Sequence, residues 1–216
     1  MSQIKERPIL FSAPMVRAIL EGRKTVTRRA LNAKALKNIG YGVQLGECHE
    51  LPSEGPLHPN SIGYYTDFCP FGQIGDRLWV RETFATLSAG EYEPVKPHGG
   101  RGQNIMYAAT DPLADLSISN RGYGYRPSIH MPRWVSRILL EITAVHVERL
   151  QDITEDQAKA EGVRRVELIN RWFAHDDSEN AFGRATGAFR DLWQSVGGDW
   201  AANPWVWVVE FKRVTP

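Results

Sequence analysis

Hydrophobic and polar positions fall into short patterned stretches separated by long unpatterned ones. Pro8-Ile9-Leu10-Phe11 is an apolar run of strand length. After it Met15, Val16, Ile19 and Leu20 share one helical face, with Ser12 placed to cap the helix, Pro14 in its first turn and Gly22 at its stop. A helix is therefore predicted there, followed by a strand. Residues 31–75 hold no lasting period, and their Gly, Pro, Asn, His and Ser content predicts an irregular excursion with one hairpin around Ile62 to Phe68. Gly75-Asp76 turns into Arg77-Leu78-Trp79-Val80-Arg81-Glu82-Thr83-Phe84, a strong strand pattern. Residues 86–128 are again loop-rich, with Gly99-Gly100 and Gly122-Tyr123-Gly124, and stretches of this kind often build a site.

Order returns with the β-branched run from Ser136 to Glu148, long enough to bend around a barrel corner. Thr154-Glu155-Asp156-Gln157 has the spacing of a capping box and opens a helix that stops at Gly162. Phe182, Ala185, Phe189, Leu192 and Trp193 describe another amphipathic helix, weakened by Gly183 and Gly187. Trp205 to Val214 reads as a closing strand. No βαβ alternation is sustained, which excludes a doubly wound parallel sheet. The expected class is α+β, a small mixed β-barrel with flanking helices and long loop insertions.

Length and composition narrow the picture. The chain has 216 residues, 42% of them hydrophobic and 24% charged, which fits one domain with insertions and a real core. No apolar run approaches the roughly 20 residues that cross a bilayer. The first eight residues have no apolar signal region. With two cysteines, Cys48 and Cys69, and no disulfide framework, the expected location is the cytoplasm, away from membranes. The 26 basic and 25 acidic residues leave a net charge of +1, which argues against a broad grip on long nucleic acid. A compact basic pocket stays open, for a small ligand or a short or structured RNA element.

Such a pocket has a candidate in Gly22-Arg23-Lys24-Thr25-Val26-Thr27-Arg28-Arg29, where a lysine, hydroxyls and arginines crowd a helix-to-strand corner. Lys24 and Thr27, three apart, point to opposite sides of an extended chain unless a turn or bulge intervenes, and Gly22 supplies a turn. The group reads equally as an anion site, as a base and nucleophile, or as a solvated strand end.

With Leu150-Gln151-Asp152-Ile153-Thr154-Glu155-Asp156-Gln157-Ala158-Lys159-Ala160-Glu161-Gly162 and Val208-Val209-Glu210-Phe211-Lys212, this segment resembles the ASCH domain family of the PUA-like superfamily. The likeness spans about 110 residues in three blocks, leaving 31–75, 86–128 and 164–200 as insertions. Gly75 to Glu82 and Ser128-Ile129-His130-Met131-Pro132-Arg133-Trp134 resemble larger members often encoded by phages and prophages. The resemblance implies a PUA-like barrel associated with RNA. One branch of the family removes the acetyl group of N4-acetylcytidine, and its lysine, threonine and glutamate fall on Lys24, Thr27 and Glu161. Another branch is ribonucleolytic, and others only bind RNA. The expectation is an amidohydrolase of an acylated pyrimidine without cofactor, against a non-catalytic RNA- or nucleotide-binding module and a ribonuclease.

Amide hydrolysis needs an attacking oxygen, a proton acceptor and oxyanion stabilisation. Thr27 is the expected nucleophile or water-orienter. Lys24 is the expected base, which requires desolvation or crowding by Arg23, Arg28 and Arg29. Glu161 is the expected proton shuttle, or else an exposed acid at a helix end. Arg23, Arg28, Glu82, Arg133 and Trp134 are expected ligand contacts. Glu82 alternates with Leu78 and Val80, so it points inward and needs a partner, Lys24 or a ligand amino group, or else ends its strand in water. Trp134 and Arg133 offer a stacking and phosphate platform, with core packing as the alternative for the tryptophan. Cys48, His49, His58 and Cys69 match no zinc spacing, and no metal is expected. Gly99-Gly100-Arg101-Gly102 lacks the lysine and helix start of a phosphate loop.

Overall fold

The computed structural model describes residues 4–87 and 104–214. In chain order its elements are β1 (Glu6–Leu10), α1 (Ala13–Leu20), β2 (Val26–Ala30), α2 (Ala33–Gln44), α3 (Ile62–Asp67), β3 (Arg77–Arg81), β4 (Phe84–Thr86) and β5 (Ile105–Tyr107). They continue with α4 (Ile118–Arg121), β6 (Leu139–Arg149), α5 (Glu155–Ala160), β7 (Arg164–Val166), β8 (Arg171–Phe173), α6 (Ala185–Ser195) and β9 (Trp205–Val214). Among the described residues no helix is long and apolar enough to cross a membrane.

Five strands form a mixed sheet in the order β1-β3-β6-β9-β2. β1 runs parallel to β3, and every other pairing is antiparallel. β6 and β9 are its spine, paired from Leu139↔Val214 to Arg149↔Trp205 with a register shift between Ile142 and Ala144. Such a bulge increases local twist. The apolar alternation of these strands explains the core: Leu140, Ile142, Val206, Trp207 and Val209 are buried, with Ile9, Val16 and Leu78 beside them. Each such side chain contributes about 1.5–3 kcal/mol by leaving water.

The sheet is open where a closed barrel was expected. β1 and β2 are its edges, and no ladder joins them among the described residues. The seam between them is bridged by a side chain, Arg29 Nη2 donating to the carbonyl of Leu10 at 2.9 Å. Residues of α1 and α6 pack beside it, so the seam encloses a cavity instead of a hydrogen-bonded ladder.

The stretch 31–75 is more ordered than expected. Asn32 Oδ1 accepts from the Ala35 amide at 2.8 Å and starts α2, whose buried face is Ala35, Ile39 and Gly42. Gly42 conceals the helical period, and its missing Cβ admits Tyr64, whose ring carbons would lie 2.5 Å from a Cβ there. The expected hairpin at Ile62 to Phe68 is instead the helix α3, led in by a 3-10 turn over Pro59–Ser61. Its Tyr65 is buried and donates to the His49 carbonyl at 2.6 Å, so the aromatic pair serves a helix face and not a strand. In the second insertion β4 pairs with β5, while Gly99-Gly100 and the rest of the Gly-rich segment lie outside the described residues. In the third, β7 and β8 form a hairpin ahead of α6. The capping box of α5 is formed: Gln157 N donates to Thr154 Oγ1 at 3.2 Å and Thr154 N to Gln157 Oε1 at 2.8 Å. Ser12 occupies the N-cap of α1 without making a side-chain cap bond.

Candidate active site

Two helix ends meet at the site. α1 stops through Gly22, at φ +77°, and the Lys24 amide then donates to the Ala18 carbonyl at 3.0 Å. α5 stops through Gly162, at φ +95°, and the Thr25 amide donates to the Ala160 carbonyl at 2.9 Å. Both glycines supply the left-handed stop that a side chain resists. Gly162 has a second duty, because a Cβ there would lie 2.9 Å from the Cβ atoms of Ala18 and Lys24. The two stops bring Lys24 and Glu161, 137 residues apart, into an isolated β-bridge.

Lys24 is 2% exposed and Glu161 3%. Lys24 Nζ donates to Glu161 Oε2 at 2.6 Å, to the Val26 carbonyl at 2.8 Å and to the Glu161 carbonyl at 2.9 Å. These acceptors occupy all three protons of an ammonium. Burial pushes the Lys24 ammonium below the ordinary lysine value, Glu161 pulls it back up, and Arg29 and Arg28 add to the lowering. The geometry is that of a charged lysine held by a carboxylate.

Arg28 extends the network. Its Nη1 donates to Glu161 Oε1 at 3.1 Å, and its Nε and Nη2 donate to Glu148 Oε1 at 2.9 and 2.5 Å. Glu148 Oε2 lies 3.3 Å from His146 Nε2 and 3.4 Å from Gln157 Nε2. Burial raises the Glu148 carboxyl, but His146 and Arg28 outweigh it and hold the group below the usual carboxylate range. Arg29 makes three bonds: Nη1 to Thr27 Oγ1 at 3.0 Å and to the Arg28 carbonyl at 3.1 Å, and Nη2 to Leu10. Burial lowers its guanidinium, with Glu161 opposing. Charges this deep are costly unless paired, and removing one partner of a buried pair costs about 3–5 kcal/mol.

Above the network lies the seam cavity, about 490 Å³. Arg28, Arg29 and Glu161 supply its charged wall, and Phe11, Phe189 and Trp193 its aromatic one. That volume and that mixture suit a small ligand with a planar apolar body and a few polar groups.

The residues anticipated from sequence divide here. Lys24, Arg28 and Glu161 come together as one network. Thr27, 1% exposed, joins through Arg29 and, among the described residues, does not line the cavity. Glu82 is buried, but its partner is Arg137 and not Lys24: Arg137 Nε and Nη2 each donate to its carboxylate at 2.9 Å. Arg23 is held outside the cavity by Glu21, Asp176 and the Gly162 carbonyl. Arg133 pairs with Glu6 at 2.9 Å with 41% of its side chain exposed, and Trp134 packs on the satellite cluster of Phe84, Met131 and Val135. The expected stacking platform is thus separate from the cavity. Of the cysteines and histidines weighed for zinc, His49 and His58 stack at 3.5 Å, and Cys48 Sγ lies against the Ile39 carbonyl at 3.6 Å. Among the described residues no three His, Cys, Asp or Glu side chains gather as metal ligands. Sequence reasoning missed Glu148. The signal was available: His146 and Glu148 sit two apart on one face of a strand otherwise rich in apolar residues.

No protein-family model matches the chain, and no curated protein matches it. One solved structure does, described as the high-resolution crystal structure of an ASCH domain from Lactobacillus crispatus JV V101. It shares 14% identity, with 98% of this chain and 81% of that chain covered, at a TM-score of 0.36. At that overlap the likeness transfers neither fold nor chemistry, and the site stands on its own geometry.

Proposed function

We propose that the seam cavity is the active site of a hydrolase that cleaves an amide on a modified nucleobase, an acylated pyrimidine such as N4-acetylcytidine being the first substrate class. The observation that carries this reading is the buried Lys24–Glu161 pair, 2.6 Å apart, whose carboxylate forms part of the cavity wall. Ionisable pairs sunk beside a cavity are costly to keep and cluster at functional sites.

The contacts support the following roles. Lys24, with three acceptors, holds the Glu161 carboxylate and is not itself the base. Glu161 takes a proton from water as the water oxygen bonds to the acyl carbon. Arg29, anchored by Thr27, faces the oxyanion that develops on the carbonyl. The carbon–nitrogen bond then breaks as Glu161 returns the proton to the leaving nitrogen, releasing a carboxylic acid and the free amine. Thr27 acts through Arg29 instead of attacking.

A second reading, binding without turnover, is favoured by the saturated Lys24 ammonium and by the Thr27 hydroxyl lying off the cavity wall. The full-length chain incubated with N4-acetylcytidine, followed by acetate release, separates the two. Turnover that falls at least ~100-fold in Glu161→Gln supports hydrolysis. Wild-type protein that binds the nucleoside and releases no acetate makes the cavity a recognition pocket.

A further inference from the structure

Charge around the cavity does not balance. Lys24, Arg28 and Arg29 face two carboxylates, Glu148 and Glu161, leaving one positive charge in a largely desolvated cluster. Lys24 and Arg28 have the ion pairs. Arg29 does not: its three bonds go to a hydroxyl and two carbonyls, and among the described residues no carboxylate lies within salt-bridge distance of it. A guanidinium carries five N–H groups, and its Nε makes no hydrogen bond among the described residues. Arg29 also lines the cavity.

Ser12, Thr83 and Ser128 bring hydroxyls to the same cavity. Ser12 and Ser128 both line the cavity, and neither side chain has a hydrogen-bond partner among the described residues. Ser12 stands at the N-cap of α1, where its hydroxyl would ordinarily turn back to the helix, and here it does not. A guanidinium with an open Nε and free hydroxyls on the same cavity lining form a donor set for a tetrahedral oxyanion. Phe189 and Trp193 give the same cavity flat aromatic surface. The lowering of the Arg29 guanidinium by burial agrees, because a bound anion would relieve it.

We propose that the cavity selects a phosphorylated nucleoside over an uncharged one, with the phosphate on Arg29, Ser12 and Ser128 and the base against Phe189 and Trp193. This rests on the reading of the cavity as a nucleobase site and extends it to the class of substrate, a mononucleotide or a 5′-phosphorylated end. Anchoring a phosphate on Arg29 is a binding step and does not require turnover.

Calorimetry on the full-length chain tests the proposal with cytidine, cytidine 5′-monophosphate and inorganic phosphate. The monophosphate is expected to bind at least ~10-fold tighter than cytidine at low salt. That margin should shrink as salt is raised, and inorganic phosphate should compete with the monophosphate. Arg29→Gln should remove the margin. Should that variant fail to fold by circular dichroism, Ser128→Ala, expected to cut the margin several-fold, takes its place. Equal affinity for the two compounds in the wild type, or a margin untouched by either substitution, overturns the inference. Acetate release from N4-acetylcytidine without a phosphate preference sinks this inference alone, and a phosphate preference without acetate release sinks hydrolysis alone.

Discussion

The most direct consequence of the buried network is energetic coupling between Lys24 and Glu161. Replacing Glu161 by Gln leaves the Lys24 ammonium with two carbonyls and no countercharge, and turns an amide N–H toward either Lys24 or Arg28. Replacing Lys24 by Met removes the cation, strips a donor from the Val26 and Glu161 carbonyls, and leaves Glu161 to Arg28 alone. Each substitution breaks a pair that is nearly inaccessible to water, so each should cost about 3–5 kcal/mol. Against a total stability of about 5–15 kcal/mol this is a large share. For a chain of this size it corresponds to roughly 6–20 °C in melting temperature. In the double variant Met faces a neutral amide and no orphaned charge remains between them. The combined cost should therefore fall short of the sum by about 2 kcal/mol. Urea unfolding followed by circular dichroism, on wild type, both singles and the double, measures all four corners. Singles within about 1 kcal/mol of wild type, or a strictly additive double, would refute the buried pair.

The glycine stops and the helix junction give two further tests. Gly162→Ala should destabilise more than Gly22→Ala: both sit at positive φ, about 1–2 kcal/mol for a side chain, but only at Gly162 would the new Cβ strike Ala18 and Lys24. Equal losses in thermal melts would contradict the close approach of α5 to the Lys24 corner. Glu155 caps α6, accepting from the Ala185 amide at 2.9 Å and the Thr186 hydroxyl at 2.6 Å. Burial raises its carboxyl, but these bonds outweigh that and hold it below the ordinary value. The unfolded chain therefore binds the proton first. The Glu155 contribution, about 1 kcal/mol for a helix cap, is present above the unfolded glutamate pKa and lost as pH falls through the folded one. The stability gap between wild type and Glu155→Gln should close over that acid range, and a gap independent of pH would remove the cap.

Local signals carried well where neighbours in the chain decide the outcome. Thr154 and Gln157 make their capping box because both partners lie within one turn. Gly22 and Gly162 stop their helices because the left-handed conformation is a property of the residue itself. The alternation of Trp205 to Val214 predicts the strand it forms, since a period of two needs only a sheet to bury it. In α2 the local signal was masked by Gly40 and Gly42, and at Ile62 to Phe68 the expected hairpin is instead a helix, held by the preceding 3-10 turn and the Tyr65 bond to the His49 carbonyl.

Partner choice is another matter. That Glu82 is buried follows from its alternation with Leu78 and Val80, but that Arg137 and not Lys24 reaches it depends on how β3 and its neighbours stack. Glu148 belongs to the network only because β6 lies two strands from β2 and the bulge in β6 re-aims the side chains beyond it. The chain alone determined which residues are charged, where its helices start and stop, and that Lys24 stands at a corner. Only the folded arrangement decided that the sheet stays open, that Glu161 arrives at that corner, and that Arg29 lines a cavity with no carboxylate in salt-bridge distance among the described residues. The physical reason is range: caps, turns and periodicity act over a few residues along the backbone, whereas a buried charge takes whichever opposite charge the packed strands and helices bring within reach.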